Sequence, residues 1–524
     1  MSAIVTEQFR ILNATNFVNS VKDSTNSYYV FLGLPNPSPY TVGFGRTDDW
    51  NTNIPNPTDN TDYLNHYGST ILFGRKISSA NIRRVIRKIN WVSGQRYEMY
   101  RPDYSVINPS PITESLRLYD ANYYVINADY RVYICIDNGS SGLNPKGNAS
   151  QVEPTFTDLE PAKSSDGYTW KYLYTVSPSD IIKFDSTEYI TLPNDWESST
   201  DSQISAIRDN GNSSVNDNQI KKVYIQNQGL GYPATTDGPL SCDLVGDGSG
   251  GKVSVTIDTS NKITDVIVTS GGKNYTYALV DLITGANPGI YAELIPIIPP
   301  SKGHGFDIYK ELGADKVLIY ARFDDSTKDF PVDTKFAQIG IIKNPTIYDE
   351  TGISTSVYTQ SEFSSTYAMR FEGSVIGTPL IGDVIKQSVT GGTAFGYVVS
   401  YDSDTKVLKY IQDRSLYFGG GGYSTHVDFV GMSSFFDSNN TKLRFESGKS
   451  VSNKSGTFSA TIGSFTGIST TVSNKIIGLG VSFQNGLASP EINSKSGDII
   501  YIDNRSLVER NSRQKEDIKI ILEF

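Results

Sequence analysis

The sequence predicts a mainly β protein, β-sandwich-like with some α+β character, built as a discontinuous multidomain chain with two inserted Gly-rich β modules. Composition is the first sign: 33 Tyr, 46 Gly and abundant Asn, Ser and Thr accompany only 19% charged residues, and these residue types supply strand and turn chemistry. The second is alternation. In the closing run Gln514 to Phe524, Ile518, Ile520, Leu522 and Phe524 fall on one side of an extended chain, Lys519 and Glu523 on the other, with Ile521 out of pattern. Such a strand is expected to be pinned inside a sheet, because four apolar side chains would otherwise face water. The third is length, since 524 residues exceed one ordinary core and imply three or four domains.

Residues 1–90 read as the first part of a core β domain. A short strand is expected at Ala3–Thr6, a helix from about Gln8 to Val21, and a strand at Tyr28–Leu32 that the Pro35, Pro37 and Pro39 cluster ends. After Ser78 and Ser79 as caps, Ile82, Val85, Ile86 and Ile89 follow i, i+3, i+4, i+7 spacing, which predicts an amphipathic helix. Arg83, Arg84, Arg87 and Lys88 would lie mostly on its opposite side, a candidate interface that either docks an acidic partner or is simply solvated.

Residues 91–200 form a second, inserted mixed domain, with strands expected at Tyr123–Ile126, Tyr130–Ile136 and Tyr168–Val176 around a turn-rich loop, Asn138–Asn148. Within 201–302, the polar stretch Ser198–Asn218 reads as a linker. A repeat follows: Ile220, Val223, Ile225, Gly229 and Tyr232 recur 43 residues on as Ile263, Val266, Val268, Gly272 and Tyr275. Two copies of strand, glycine turn and tyrosine predict a small β module with pseudo-twofold character, closed by Pro296, Pro299 and Pro300. Residues 303–345 return to the core as a strand pair, Lys316–Arg322 and Phe336–Lys343. Residues 346–489 are an inserted β module with strands at Val384–Ser388, Phe395–Tyr401 and Val407–Ile411, and 490–524 supply the closing core strands.

A net charge of −10 argues against nucleic acid as a partner, because such binders carry a basic stripe. Cys135 and Cys242 are the only cysteines, which excludes a disulfide framework and a multi-cysteine zinc site. The start MSAIVTEQFR lacks a basic region followed by an apolar stretch, and no run reaches membrane-spanning length, so no membrane insertion is expected and the chain belongs in the cytosol or in a particle assembled there.

Catalytic, cofactor and metal sites are expected to be absent. His66, His304 and His426 lie far apart, with no HExxH pair and no nucleophile elbow. Gly246–Gly251 lacks the Lys-Ser/Thr of a phosphate loop. Asp402-x-Asp404 and Asp437-x-Asn439 lack the glycine and distal glutamate of a calcium loop. Asp48-Asp49 and Asp324-Asp325 are adjacent pairs that would point apart in strands, whereas a glycosidase needs two carboxyls facing across a cleft.

Several pieces occur together in a recognisable order: Ala3-Ile4-Val5-Thr6 with Phe9-Arg10, Phe44-Gly45-Arg46 with Trp50, and Trp91 with Arg96-Tyr97. Gly167-Tyr168 with Trp170, Tyr172 and Leu173 follows, then Glu188-Tyr189-Ile190 with Pro193, Gln338 to Pro345, and Ser496 to Phe524. Across 1–200, 303–345 and 490–524 this order resembles the gene-eight baseplate wedge subunit family of T-even-type contractile-tailed phages, while 201–302 and 346–489 depart from the family's compact form. The resemblance implies a non-enzymatic structural subunit and a homodimer that binds other baseplate wedge subunits. The Gly/Asn/Ser/Tyr-rich turns of the two insertions suggest that these face outward and bind fibres, accessory baseplate proteins or host glycans. A receptor-binding or polysaccharide-degrading tail protein is the alternative.

Overall fold

The computed structural model describes residues 6–524 except 35–53, 55, 58, 60, 212–218, 283–287, 325–333, 352–353, 413–442 and 511–513. The expectations resting on Ala3–Val5, Phe44–Trp50, Asp325, His426 and Asp437–Asn439 lie outside the described residues. The chain is mainly β and divides into two compact units: the described parts of Met1–Val18, Arg83–Leu318 and Ile521–Phe524, and those of Asn19–Ile82 and Ile319–Ile520.

Most elements follow their local pattern. The helix Glu7–Lys22 buries Ile11, Ala14, Val18 and Val21, one face at helical spacing. The strand Glu516–Glu523 buries Ile518 and Ile520 while Ile521 faces outward, as alternation requires.

Three segments depart from expectation. Ile82–Arg87 is a strand, not a helix, preceded by a single 3-10 turn at Ser79–Asn81. Its Val85, Ile86 and Arg87 pair with Thr191, Ile190 and Tyr189. Burial on both faces breaks the alternation that would have marked a strand, and the surviving spacing mimics a helix. The polar stretch after Ser198 contains a helix, Ser202–Gly211, rather than only a linker. Asp201 caps it by accepting from the backbone N–H groups of Gln203 (2.9 Å) and Ile204 (3.0 Å), and Ile204 and Ile207 anchor it to the aromatic core. Lastly, Lys316–Phe323 and Lys335–Lys343 do not pair. The latter lies between Tyr28–Gly33 and Asp498–Glu509, and the former belongs to another sheet.

In the first unit, a core of aromatic side chains surrounds the sheet Tyr124–Ile126, Arg131–Asp137, Thr169–Thr175 and Ala162–Lys163. Tyr168 stacks on Trp170 at 5.2 Å, and Tyr97 meets Trp170 edge-on at 5.8 Å. Trp170 and Trp196 are fully buried, and Trp91 packs against the same core.

The repeat of the Gly/Tyr module has a physical counterpart. Ile220 N–H donates to the Gly271 carbonyl at 3.1 Å, and Ile263 N–H donates to the Gln228 carbonyl at 3.2 Å, so the two copies exchange equivalent hydrogen bonds. Gly229 (φ +67°) and Gly272 (φ +63°) hold left-handed backbone, and a Cβ on either would stand 2.6 Å from the ring of Tyr232 or Tyr275 respectively. Both tyrosines are buried in the module's core.

The second unit contains the five-stranded sheet Glu362–Ser364, Ile71–Ile77, Tyr28–Gly33, Lys335–Lys343 and Asp498–Glu509. It also contains a closed barrel. Strands Val407–Ile411, Gly392–Asp402, Val384–Val389, Ser450–Asn453, Ser459–Ile462 and Tyr367–Ile376 pair in that order, and Tyr367–Arg370 pairs back onto Val407–Tyr410. Met369, Phe371, Ile385, Val398, Leu408 and Phe458 fill its interior. A separate ribbon, Gly467–Val472 with Lys475–Phe483, follows it in the chain.

Candidate functional site

The four basic residues singled out from sequence do not share one exposed face. Arg83 grips Asp180 with Nε at 2.9 Å and Nη2 at 2.8 Å, and stands over the Phe184 ring. Arg84 is 2% exposed, its guanidinium 4.1 Å from the centre of the Tyr309 ring. Arg87 donates to the carbonyls of Tyr119 and Ala121, and Lys88 reaches Asp185 (3.3 Å) and the Ser186 carbonyl. Each charge is engaged within the chain.

Groups able to do chemistry are likewise committed. His304 Nδ1 lies 2.5 Å from Glu311, whose other oxygen accepts from Gly305 N–H at 2.7 Å, and Tyr100 packs edge-on against the imidazole. Cys135 and Cys242 are buried free thiols, and burial pushes both upward in pKa, away from thiolate chemistry. The Asp402 carboxylate accepts from Asp404 and Thr405 N–H groups, an ordinary Asx turn. Asp247 in the Gly246–Gly251 turn accepts from Thr276 N–H at 2.9 Å. Among the described residues, no group of three His, Cys, Asp or Glu side chains is arranged to hold a metal, and no helix is long and apolar enough to cross a membrane.

What the sequence did not single out is an outward apolar surface on the Gly/Tyr module. Val245 and Leu279 are directly paired on neighbouring strands and are 54% and 66% exposed; Tyr277, two residues from Leu279 on the same face, is 60% exposed. Ile267 stands out on the far strand of that sheet, with the Lys252–Asp243 ion pair (2.8 Å) between. Near the joined backbones of Leu230 and Ile290, Tyr291 is 72% exposed. Among the residues whose exposure is described, Tyr277 and Tyr291 are the exposed tyrosines, and both belong to this module. Exposed aliphatic and aromatic side chains of this kind are the chemistry that protein-contact surfaces use in general.

A second feature is a cleft of about 1140 Å³ lined by Tyr348, Glu350, Arg444, Gly480, Gln484 and Asn485 among others.

No protein-family model matches the chain. The chain is similar to the baseplate wedge protein gp8 of Enterobacteria phage T4, with 25% identity over 227 residues, an alignment that covers 36% of this chain. It spans 60% of the length of that relative. The similarity is distant and supports a baseplate-wedge-like relationship.

Proposed function

We propose that this chain is a non-enzymatic structural subunit of a phage tail baseplate wedge. It holds neighbouring wedge proteins together and takes part in baseplate rearrangement on host attachment. The observation that carries this reading is the 227-residue similarity to a baseplate wedge protein. The proposed location is the virion tail baseplate, assembled in host cytoplasm, and the proposed oligomeric state is a homodimer.

The Val245–Leu279–Tyr277 face supplies contact chemistry for another baseplate, fibre or accessory protein. A cross-strand aliphatic pair beside an exposed tyrosine offers a large rigid area with one hydroxyl. The double variant Val245→Lys and Leu279→Glu is the test, because opposite charges at this directly paired position remove the apolar surface without cross-strand repulsion. Normal incorporation of the folded variant into tails would remove the module from the proposal. Light scattering on the isolated chain tests the dimer, and a trimer would favour a fibre-like receptor-binding protein instead.

A further inference from the structure

We propose that the cleft in the second unit, lined by Tyr348, Glu350, Arg444, Ser482, Gln484 and Asn485 among others, binds an oligosaccharide; this goes beyond the structural role and does not rest on it. Small-ligand pockets occupy roughly 300–1,000 Å³, and a space of about 1140 Å³ suits a chain of several sugar rings better than a single metabolite.

The lining chemistry narrows the class. Gln484 and Asn485 are exposed neighbours, and among the described residues their side-chain amides make no hydrogen bond within the chain. Each amide carries a donor and an acceptor side by side, the complement of two adjacent sugar hydroxyls. Glu350, also exposed, adds a carboxylate acceptor. Arg444 is a fixed donor: its guanidinium lies 4.6 Å from the centre of the Tyr367 ring, and Nη1 donates to Gln412 at 2.7 Å. Tyr348 packs edge-to-face with Tyr367, and rings and aliphatic groups such as Ile468 in the lining meet the C–H faces of a sugar.

Two glycines stand in the lining. Gly480 holds φ +77°, and a Cβ at Gly478 would meet nothing within 4 Å.

Other ligand classes fit less well. With the charge of Glu446 balanced by Lys449, Glu350 and Glu491 still outnumber Arg444, which disfavours a polyanion such as nucleic acid. Glu446 is already engaged by Lys449 at 2.5 Å and by Thr390 N–H at 2.7 Å, so its carboxylate is not free to hold a cation. A lipid chain would strand the amides of Gln484 and Asn485 without partners. The inference concerns binding alone; no bond is cleaved.

The test uses the full-length chain on an array of bacterial-surface oligosaccharides, followed by titration calorimetry with the retained sugars. The expected result is retention of oligomers of at least about three units, with binding weakened about tenfold or more by Glu350→Gln combined with Gln484→Ala, as loss of two hydrogen-bonding partners requires. Ser482→Trp, which fills the cleft from an exposed position, provides a second variant and should abolish binding. Circular dichroism must match the parent in each case. Absence of any retained sugar, affinity unchanged in both folded variants, or displacement of the sugar only by peptides that bind more tightly would overturn the proposal. Incorporation into tails, read separately, reports on the structural role.

Discussion

Replacing Tyr275 by Phe tests whether the glycine-tyrosine pair holds the module together. The Tyr275 hydroxyl donates to the Leu244 carbonyl at 2.9 Å and accepts from Gly251 N–H at 3.1 Å, both inside the core. The equivalent hydroxyl of the other copy, on Tyr232, accepts from Ala292 N–H at 2.9 Å. Removing a partner from a buried donor or acceptor costs about 1–3 kcal/mol per group. The carbonyl keeps a second lone pair and a ladder position, so most of the loss falls on Gly251 N–H, giving about 2–4 kcal/mol for Tyr275→Phe and about 1–2 kcal/mol for Tyr232→Phe. The assay is native-state hydrogen exchange, which reads local opening without assuming that a multidomain chain unfolds in one step. At 1.4 kcal/mol per factor of ten, the Gly251 amide should exchange roughly 30- to 1,000-fold faster in Tyr275→Phe. If its protection changes by less than about threefold, or if Tyr232→Phe is the costlier substitution, the assignment of stability to this hydroxyl is wrong.

Gly272→Ala places a Cβ 2.7 Å from Gly251 N on backbone of φ +63°, and Gly229→Ala places one 2.8 Å from Ala292 N at φ +67°. Each should lower the module's opening free energy by about 2–4 kcal/mol through steric and backbone strain, measured by the same exchange experiment. Asp166 makes an acid-sensitive clamp: burial opposes its charge, but hydrogen bonds from the Ser164 hydroxyl and from the N–H groups of Gln151, Val152 and Tyr168 outweigh it and hold the carboxyl below the usual range. Because the folded-state pKa is depressed, this contribution is fully present above the ordinary carboxylate value of about 4 and is lost as pH falls through the folded value. The Gln151 amide should therefore lose protection on acidification, and Asp166→Asn should abolish that dependence. Arg84 Nε and Nη1 are buried without a hydrogen-bond partner among the described residues. Arg84→Met should change stability by no more than about 1 kcal/mol, whereas Arg84→Glu should cost about 3–5 kcal/mol, read from local exchange at Leu192, whose N–H donates to the Arg84 carbonyl.

Local patterns were legible where one face is buried and the other wet. Alternation marks the strand Glu516–Glu523, with Ile521 alone out of pattern, whereas in the helix Glu7–Lys22 the exposed Phe9 and Leu12 blur the apolar stripe formed by Ile11, Ala14, Val18 and Val21. Ile82–Arg87 fails that rule: Arg84 occupies an interior position, where a tyrosine face takes the place of water. The helix Ser202–Gly211 was hidden by a composition in which two isoleucines and one aspartate cap suffice. Barrel closure has no local signature, since Tyr367 meets Tyr410 across a long stretch of intervening chain. The outward face at Val245 and Leu279 was invisible for a related reason. Each apolar residue reads as core until the register shows that their neighbours Leu244 and Ala278 already fill the inward side. The cleft gathers Tyr348, Arg444 and Gln484 from separate segments, so no motif could have named it.

Because Tyr367–Arg370 zips onto Val407–Tyr410, the six barrel strands close into a hoop whose described strands each have a partner on both sides. An open hem is a template on which a crowded neighbour can continue the weave, and repeated copying of that kind ends in fibres. The hoop lessens that hazard for the segment it encloses and leaves recognition there mainly to side chains. Sequence drift on the outside of the hoop can then retune whom it touches without giving strangers a backbone to knit onto.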